Sequence, residues 1–126
     1  MPKKVMDPAR EESFARFCAE TLQDKLAEEV TVLAVRDLSS IADYFIIATA
    51  NSQPHLKALA SHLERQARDQ FAVRPLAVDG EPASEWVLLD FGAVLVHLMS
   101  EETRRRYDLE RLWADAPRLT LSATGR

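Results

Sequence analysis

Apolar residues at Phe14, Phe17, Cys18, Leu22 and Leu26 recur at the three-and-four spacing of one helical face, behind an Asp7-Pro8 pair that supplies a capping carboxylate and a first-turn proline. This spacing predicts a helix over about residues 8–28. Residues 30–36 switch to alternating, β-branched character, which predicts a strand. Tyr44 to Thr49 is a nearly unbroken apolar run of strand length, as expected for a strand covered on both faces in the middle of a sheet. A second helical stripe, Leu56, Leu59, Ala60, Leu63 and Ala67, follows the capping segment Asn51-Ser52-Gln53-Pro54. The opposite face carries Lys57, Glu64, Arg65 and Arg68, so this helix should lie on the sheet with its charged side in water.

Residues 75–78, 86–90 and 93–98 read as three short strands punctuated by Asp79-Gly80 and by Gly92, the last two joined as a hairpin. Ser100 can cap a short final helix, with Glu101 and Glu102 in its first turn and Arg104, Arg105 and Arg106 later, the order that the helix dipole favours. Tyr107, Leu109, Leu112 and Trp113 should fold back on the domain, with Trp113 as a packing residue. Residues 115–126 have no clear periodicity and are expected to form a mobile tail beyond a domain at 1–114. The order helix, two strands, helix, three strands, helix predicts a single α/β domain. Its late strands follow one another too closely for crossover helices, so the five-stranded sheet must be mixed.

A chain of 126 residues can bury a core without disulfide or metal support. Its one cysteine, Cys18, has no intramolecular partner and reads as a small buried hydrophobe. There is no 18-residue apolar run and no signal-peptide-like start, so a cytoplasmic protein with no membrane association is expected. A formal net charge of −4 argues against indiscriminate grip on nucleic acid, while leaving room for a local basic contact.

Little in the chain suggests chemistry. His55, His62 and His97 are scattered rather than clustered as metal ligands, and the three glycines stand alone, so no phosphate loop is formed. No serine occupies a strand-to-helix elbow, and Cys18 sits inside a helix. Asp37, Asp43, Asp79 and Asp90 lie at strand ends, where turn capping is the commoner use of an aspartate. No catalytic residue, metal site or cofactor is expected, and the chain does not read as an enzyme.

The stretch Glu85-Trp86-Val87-Leu88-Leu89-Asp90-Phe91-Gly92-Ala93-Val94-Leu95-Val96-His97 closely resembles a hallmark of the iojap-like ribosomal silencing factors. Three further blocks match in order: Ser40 to Ile47, Asp79-Gly80, and Glu101 to Trp113, so that the resemblance covers about residues 11–114. The chain departs from the family pattern at Ala50 to His55, where Gly-Thr-Ser and a polar residue are common, and at Phe91, where an aliphatic residue or tyrosine is usual. The resemblance implies a nucleotidyltransferase-like fold without the catalytic motif, since Asp43 has no second carboxylate two positions on to hold magnesium.

What the resemblance further implies is binding to the large ribosomal subunit through ribosomal protein fourteen, which sterically blocks small-subunit joining and represses translation in a bacterial cytoplasm. A large-subunit assembly factor is the alternative, and a residual transferase using Asp43 and Asp90 with magnesium is a more distant one. Trp86, opening a strand beside Ser84 and Glu85, is the first expected anchor and Phe91 the second; Asp90, His97 and Tyr44 complete the expected partner-binding set. Arg104 and Arg105 are the expected rim contact with ribosomal RNA. An exposed Trp/Phe patch would also let free copies pair as a homodimer.

Overall fold

The computed structural model describes residues 7–121. The Asp7 carboxylate accepts a hydrogen bond from the Arg10 N–H at 2.8 Å and opens α1 (Pro8–Asp24). The helix stops short of the expected 28 because Leu26 takes a left-handed backbone conformation, φ 68°, and turns the chain into β1 (Glu28–Ala34). Cys18 lies on the fully buried face of α1, and burial raises its thiol pKa, in keeping with a packing role. β2 (Tyr44–Ala50) is buried along its whole length, as a central strand should be. Ser52 then accepts from the His55 N–H at 3.1 Å and caps α2 (Gln53–Phe71), whose Leu56, Leu59, Leu63 and Ala67 face the core.

Three strands follow: β3 (Ala77–Asp79), β4 (Trp86–Asp90) and β5 (Val94–Ser100). β4 and β5 form the expected hairpin, whose turn is fixed by a 2.8 Å bond from the Gly92 N–H to the Asp90 carboxylate. The sheet order is β1-β2-β5-β4-β3, with β2 and β5 parallel and every other pair antiparallel. The fold is therefore the mixed five-stranded α/β sheet that the element order implies. Gly80 cannot be replaced without moving backbone: its φ is +84°, and a Cβ there would stand 2.2 Å from the Trp86 carbonyl oxygen. That close approach brings the Asp79-Gly80 turn against the start of β4.

The two faces of the sheet are covered differently. α1 and α2 close one face over a core that includes Phe14, Leu22, Ile46, Leu59, Leu89 and Phe91. The other face carries a smaller cluster, Leu33, Val35, Phe45, Ile47, Leu95 and Met99, covered by the C-terminal part of the chain. There α3 (Glu101–Tyr107), capped by Ser100, and the single turn α4 (Leu109–Leu112) are joined at Asp108. Trp113 packs edge-on against Phe45, with ring centroids 5.1 Å apart, as its packing assignment requires. Residues 115–121 differ from the expected mobile tail. The Ala34 N–H donates to the Pro117 carbonyl at 2.8 Å and the Leu119 N–H to the Val32 carbonyl at 2.9 Å, so this segment borders β1 as a short antiparallel edge. Alternating apolar residues too few to register as a strand pattern are stabilised there by tertiary pairing. The remainder of the expected tail, residues 122–126, lies outside the described residues.

Arg104 holds this arrangement together. Its guanidinium is buried and makes a forked pair with the Glu110 carboxylate at 3.0 and 2.9 Å, while its Nη atoms donate to Thr49 at 2.9 Å and Thr31 at 3.2 Å. One side chain thus ties α3 to α4, β1 and β2. Its expected role as an RNA contact is corrected by this burial: the residue is 7% exposed and its guanidinium makes four hydrogen bonds inside the fold.

Removing the buried member of such a pair costs about 3 kcal/mol when both partners are enclosed. The cost here is less, about 2 kcal/mol, because the Glu110 side chain keeps 21% exposure while Thr31 and Thr49 lose a donor. Arg104→Ala should lower the unfolding free energy by about 2 kcal/mol in urea denaturation, and a loss below about 1 kcal/mol would contradict the anchoring role. The hydrogen bonds from Arg104, ahead of the desolvation that opposes them, hold the Glu110 carboxyl below its ordinary range. The stabilisation is therefore present above the ordinary carboxylate pKa and is lost as pH falls through the depressed folded value. The Arg104→Ala variant should show a shallower decline in melting temperature over that acidic window than the parent.

Candidate protein-docking site

Side chains alternate along β4, so Val87 and Leu89 point to the helices while Trp86, Leu88 and Asp90 point to the other face. On the neighbouring strand, His97 stands directly across from Leu88, and Met99 across from Trp86. The result is a continuous run of rings across the sheet. Trp113 meets Phe45, Phe45 meets His97 at 5.3 Å, His97 meets Trp86 at 5.9 Å, and Trp86 meets Tyr107 at 4.8 Å between centroids. The first half of this run is covered by the C-terminal segment. The second half faces outward, where Trp86 and Leu88 are half-buried and Tyr107 is 50% exposed. A shallow depression of about 440 Å³ lies over it, lined by Asp79, Ser84, Trp86, Leu88, Arg106 and Tyr107 among others.

His97 sets the orientation of the anchor. The Trp86 indole N–H can only donate, and it lies 3.2 Å from His97 Nδ1, so that nitrogen is the acceptor and the neutral ring carries its proton on Nε2. Nε2 has no hydrogen-bond partner among the described residues. Burial in apolar surroundings lowers the His97 pKa to about 4. A neutral imidazole is thereby kept as the acceptor that holds the indole edge against the sheet.

The expected site residues divide between the two faces. Trp86, His97 and Asp90 share the sheet face away from the helices, but His97 is 7% exposed, so its expected partner contact is corrected to a buried support for the indole, and Asp90 spends one carboxylate oxygen on the Gly92 turn. Phe91 does not join them. It is 5% exposed, one residue out of phase with Trp86, and packs edge-on against Phe14 under α1 at 5.0 Å. Tyr44 is likewise only 6% exposed, on the helix side, beneath the Arg36 guanidinium. These two positions are corrected to core residues by strand parity. Leu88 and Tyr107 take their place at the surface; Leu88 was legible as two residues on from Trp86, whereas Tyr107 depends on where α3 docks. Arg105 lies exposed on α3 and pairs with Glu101 at 2.5 Å.

Two other regions bear on chemistry. Asp43 pairs with Arg36, Nε to Oδ1 3.5 Å, and no group of three His, Cys, Asp or Glu side chains among the described residues could hold a metal ion. Outside the carboxyl ends of the parallel strands β2 and β5, where open α/β sheets commonly bind ligands, there is a crevice of about 300 Å³. It is lined by Glu28, Glu85, Glu101 and Glu102, and the Glu85 carboxylate accepts from the Ser100 hydroxyl at 2.9 Å. Such a wall of carboxylates repels a triphosphate. No helix among the described residues is long and apolar enough to cross a membrane.

The depressed His97 pKa gives a direct check on this geometry. A ¹³C NMR titration should find one histidine whose midpoint is near 4 and which stays neutral at pH 5.5. Because the folded value is depressed below the ordinary histidine value, the stability linked to His97 is complete above that ordinary value and declines as pH falls from it toward about 4. A midpoint at or above 6 would contradict the enclosed Trp86–His97 pair.

The family described as "Ribosomal silencing factor during starvation" matches residues 8–125. A relative from Halalkalibacterium halodurans, "Ribosomal silencing factor RsfS", is 36% identical over 106 residues, 84% of this chain and 90% of that protein. The mouse protein "Mitochondrial assembly of ribosomal large subunit protein 1" is 33% identical over 97 residues, which are 73% of this chain and 41% of the mouse protein. A crystal structure of a Chromobacterium violaceum protein superimposes with a TM-score of 0.77 at 29% identity, covering 94% of this chain and 97% of that one. With the family match spanning nearly the whole sequence and 36% identity to a relative covered over 90% of its length, the chain belongs to the ribosomal silencing factor family.

Proposed function

We propose that the protein docks on the large ribosomal subunit through the face formed by Trp86, Leu88 and Tyr107, with ribosomal protein fourteen as the contact. The bound protein then occupies the space that the small subunit needs, and translation is repressed in the bacterial cytoplasm. No bond is made or broken, so neither metal nor cofactor has a part in it. The observation that carries this reading is the outward half of the aromatic run, a half-buried indole and a half-exposed phenol held side by side. Interfaces of standard size bury roughly 800 Å² on each partner and depend on a few aromatic or arginine anchors. Trp86 is preorganised for that role by its bond to His97, which reduces the ordering cost of binding.

Asp90 and the half-exposed rim, including Arg105 and Arg106, complete the surface, and the same apolar face is where free copies would pair as a homodimer. A second reading, action during large-subunit assembly, is favoured by the 33% identity to the mouse protein whose name refers to that process, and it uses the same surface. The transferase alternative is disfavoured by the carboxylate-lined crevice at β2 and β5.

Cosedimentation with purified large subunits tests the proposal. Trp86→Ala should weaken binding by at least about tenfold, as expected for an anchor worth ~2 kcal/mol, while the far-UV circular dichroism stays unchanged. Equal affinities for the variant and the parent would remove this face from the contact.

A further inference from the structure

We propose that the groove between the outer face of α2 and β3 binds the phosphate backbone of RNA, an inference that rests on the ribosome-docking reading above. The groove measures about 470 Å³ and is lined by Ser61, Glu64, Arg65, Arg68, Arg74 and Val78, among others. Three arginines and one glutamate line it, with Asp69 beside Arg68, in a chain whose formal net charge is −4. The clustering is built by the backbone rather than by sequence adjacency. Ala72 ends α2 in the left-handed conformation, φ 57°, and the N–H groups of Ala72 and Val73 close onto the carbonyls of Arg68 at 3.1 Å and Ala67 at 3.2 Å. Val73 packs on the core, so the chain doubles back and Arg74 lines the same groove as Arg65 and Arg68.

Several arginines elsewhere on the surface are neutralised locally, although exposed Arg10 and Arg111 form no ion pair among the described residues. Arg16 pairs with Glu12, Arg105 with Glu101 and Arg106 with Glu102, each with a carboxylate one turn earlier. In the groove, Arg65 has Ser61 at that position, and among the described residues Arg65 and Arg74 form no ion pair. Arg68 meets Asp69 at 3.1 Å with both side chains half-exposed, a surface pair weak enough to exchange for a phosphate. Guanidinium forks match phosphate oxygens two at a time, and in a ribosomal particle the commonest fixed anion is the RNA backbone. The location fits the docking face as well. Ala77 and Val78 of β3 line the groove, while Asp79 and Gly80, the next two residues, line the depression over Trp86. A single partner surface that wraps the β3 edge meets protein-binding and phosphate-binding sides together.

The test is the salt dependence of binding to large subunits, measured from 50 to 200 mM KCl for the parent, for R65E/R74E and for Trp86→Ala. Each phosphate contact contributes about 0.7 to 0.9 to the slope of log Kd against log salt, so two or three contacts give a slope of about 2. R65E/R74E should lose most of that slope and about tenfold in affinity at 50 mM, with an unchanged melting temperature. Trp86→Ala should lose affinity and keep the slope. Equal slopes for the parent and R65E/R74E overturn the groove assignment while leaving the Trp86 face intact. If the parent binds no large subunits, the docking reading fails, and the groove is judged on fluorescence anisotropy with a short RNA duplex: binding by the parent that R65E/R74E lacks supports it, and equal or no binding overturns it. A slope lost on subunits, with no binding of the parent to the RNA duplex, assigns the groove to an acidic protein surface and overturns the RNA assignment.

Discussion

How far the C-terminal part of the chain spreads over the sheet is set by one buried guanidinium. Arg104 reaches from α3 to Thr31 on β1, Thr49 on β2 and Glu110 on α4, and these bonds pin the covering layer over the β1, β2 and β5 side. The layer cannot slide toward β4 without stripping a desolvated charge of its partners. Coverage therefore ends near Tyr107, and the outward residues of β4 stay half-buried. On the opposite face, closed by α1 and α2, Phe14 is fully enclosed and meets Phe71 and Phe91 edge-on at 5.2 and 5.0 Å, and among its aromatic residues only Phe17 and Phe71, at the rim, are partly buried. One domain thus carries a finished core and an unfinished one. The unfinished core is the surface to which function is assigned.

Within that surface, position is controlled by strand geometry and by a single hydrogen bond. Alternation on β4 sends Trp86 and Leu88 outward, the β5 register brings His97 across from Leu88, and the indole N–H finds its acceptor on the imidazole. An aromatic anchor that is already oriented loses little freedom on binding. The neutral histidine beneath it carries no charge to desolvate further. At the opposite edge of the sheet, the segment through Leu119 borders β1 and satisfies backbone groups that would otherwise invite another chain, so the two edges of the sheet are not equivalent. The other edge, β3, which no further strand borders among the described residues, is the one shared by the Trp86 depression and the arginine groove.

Much of this was legible in the residues alone. Periodicity and capping residues gave α1, α2, the central position of β2 and the β4–β5 hairpin, because each is governed by local pattern and local turn chemistry. The mixed sheet followed from connection lengths. The resemblance drew Trp86 and Phe91 into one expected contact set, and the core under α1 separates them. Tyr44 was misassigned for the same reason: its neighbour Phe45 is the residue on the Trp86 face. Arg104 looked like one member of an exposed basic cluster, and nothing local marks it as the one that turns inward to Glu110, since its other partners lie 55 and 73 residues away in sequence. The docking of residues 115–121 on β1 was hidden for the same reason, being a tertiary pairing of a short segment without periodicity.

On the docking reading, a partner covers the half-finished face and leaves the helix side in water. Hydroxyl-radical footprinting of the protein bound to large ribosomal subunits reads this directly, because it reports side-chain exposure ring by ring. On that reading, Trp86 and Tyr107 should lose reactivity in the complex while Phe17 of α1 and Phe71 of α2, both partly buried, keep theirs. Undiminished reactivity at Trp86 and Tyr107, with shielding of the helix side instead, would contradict it.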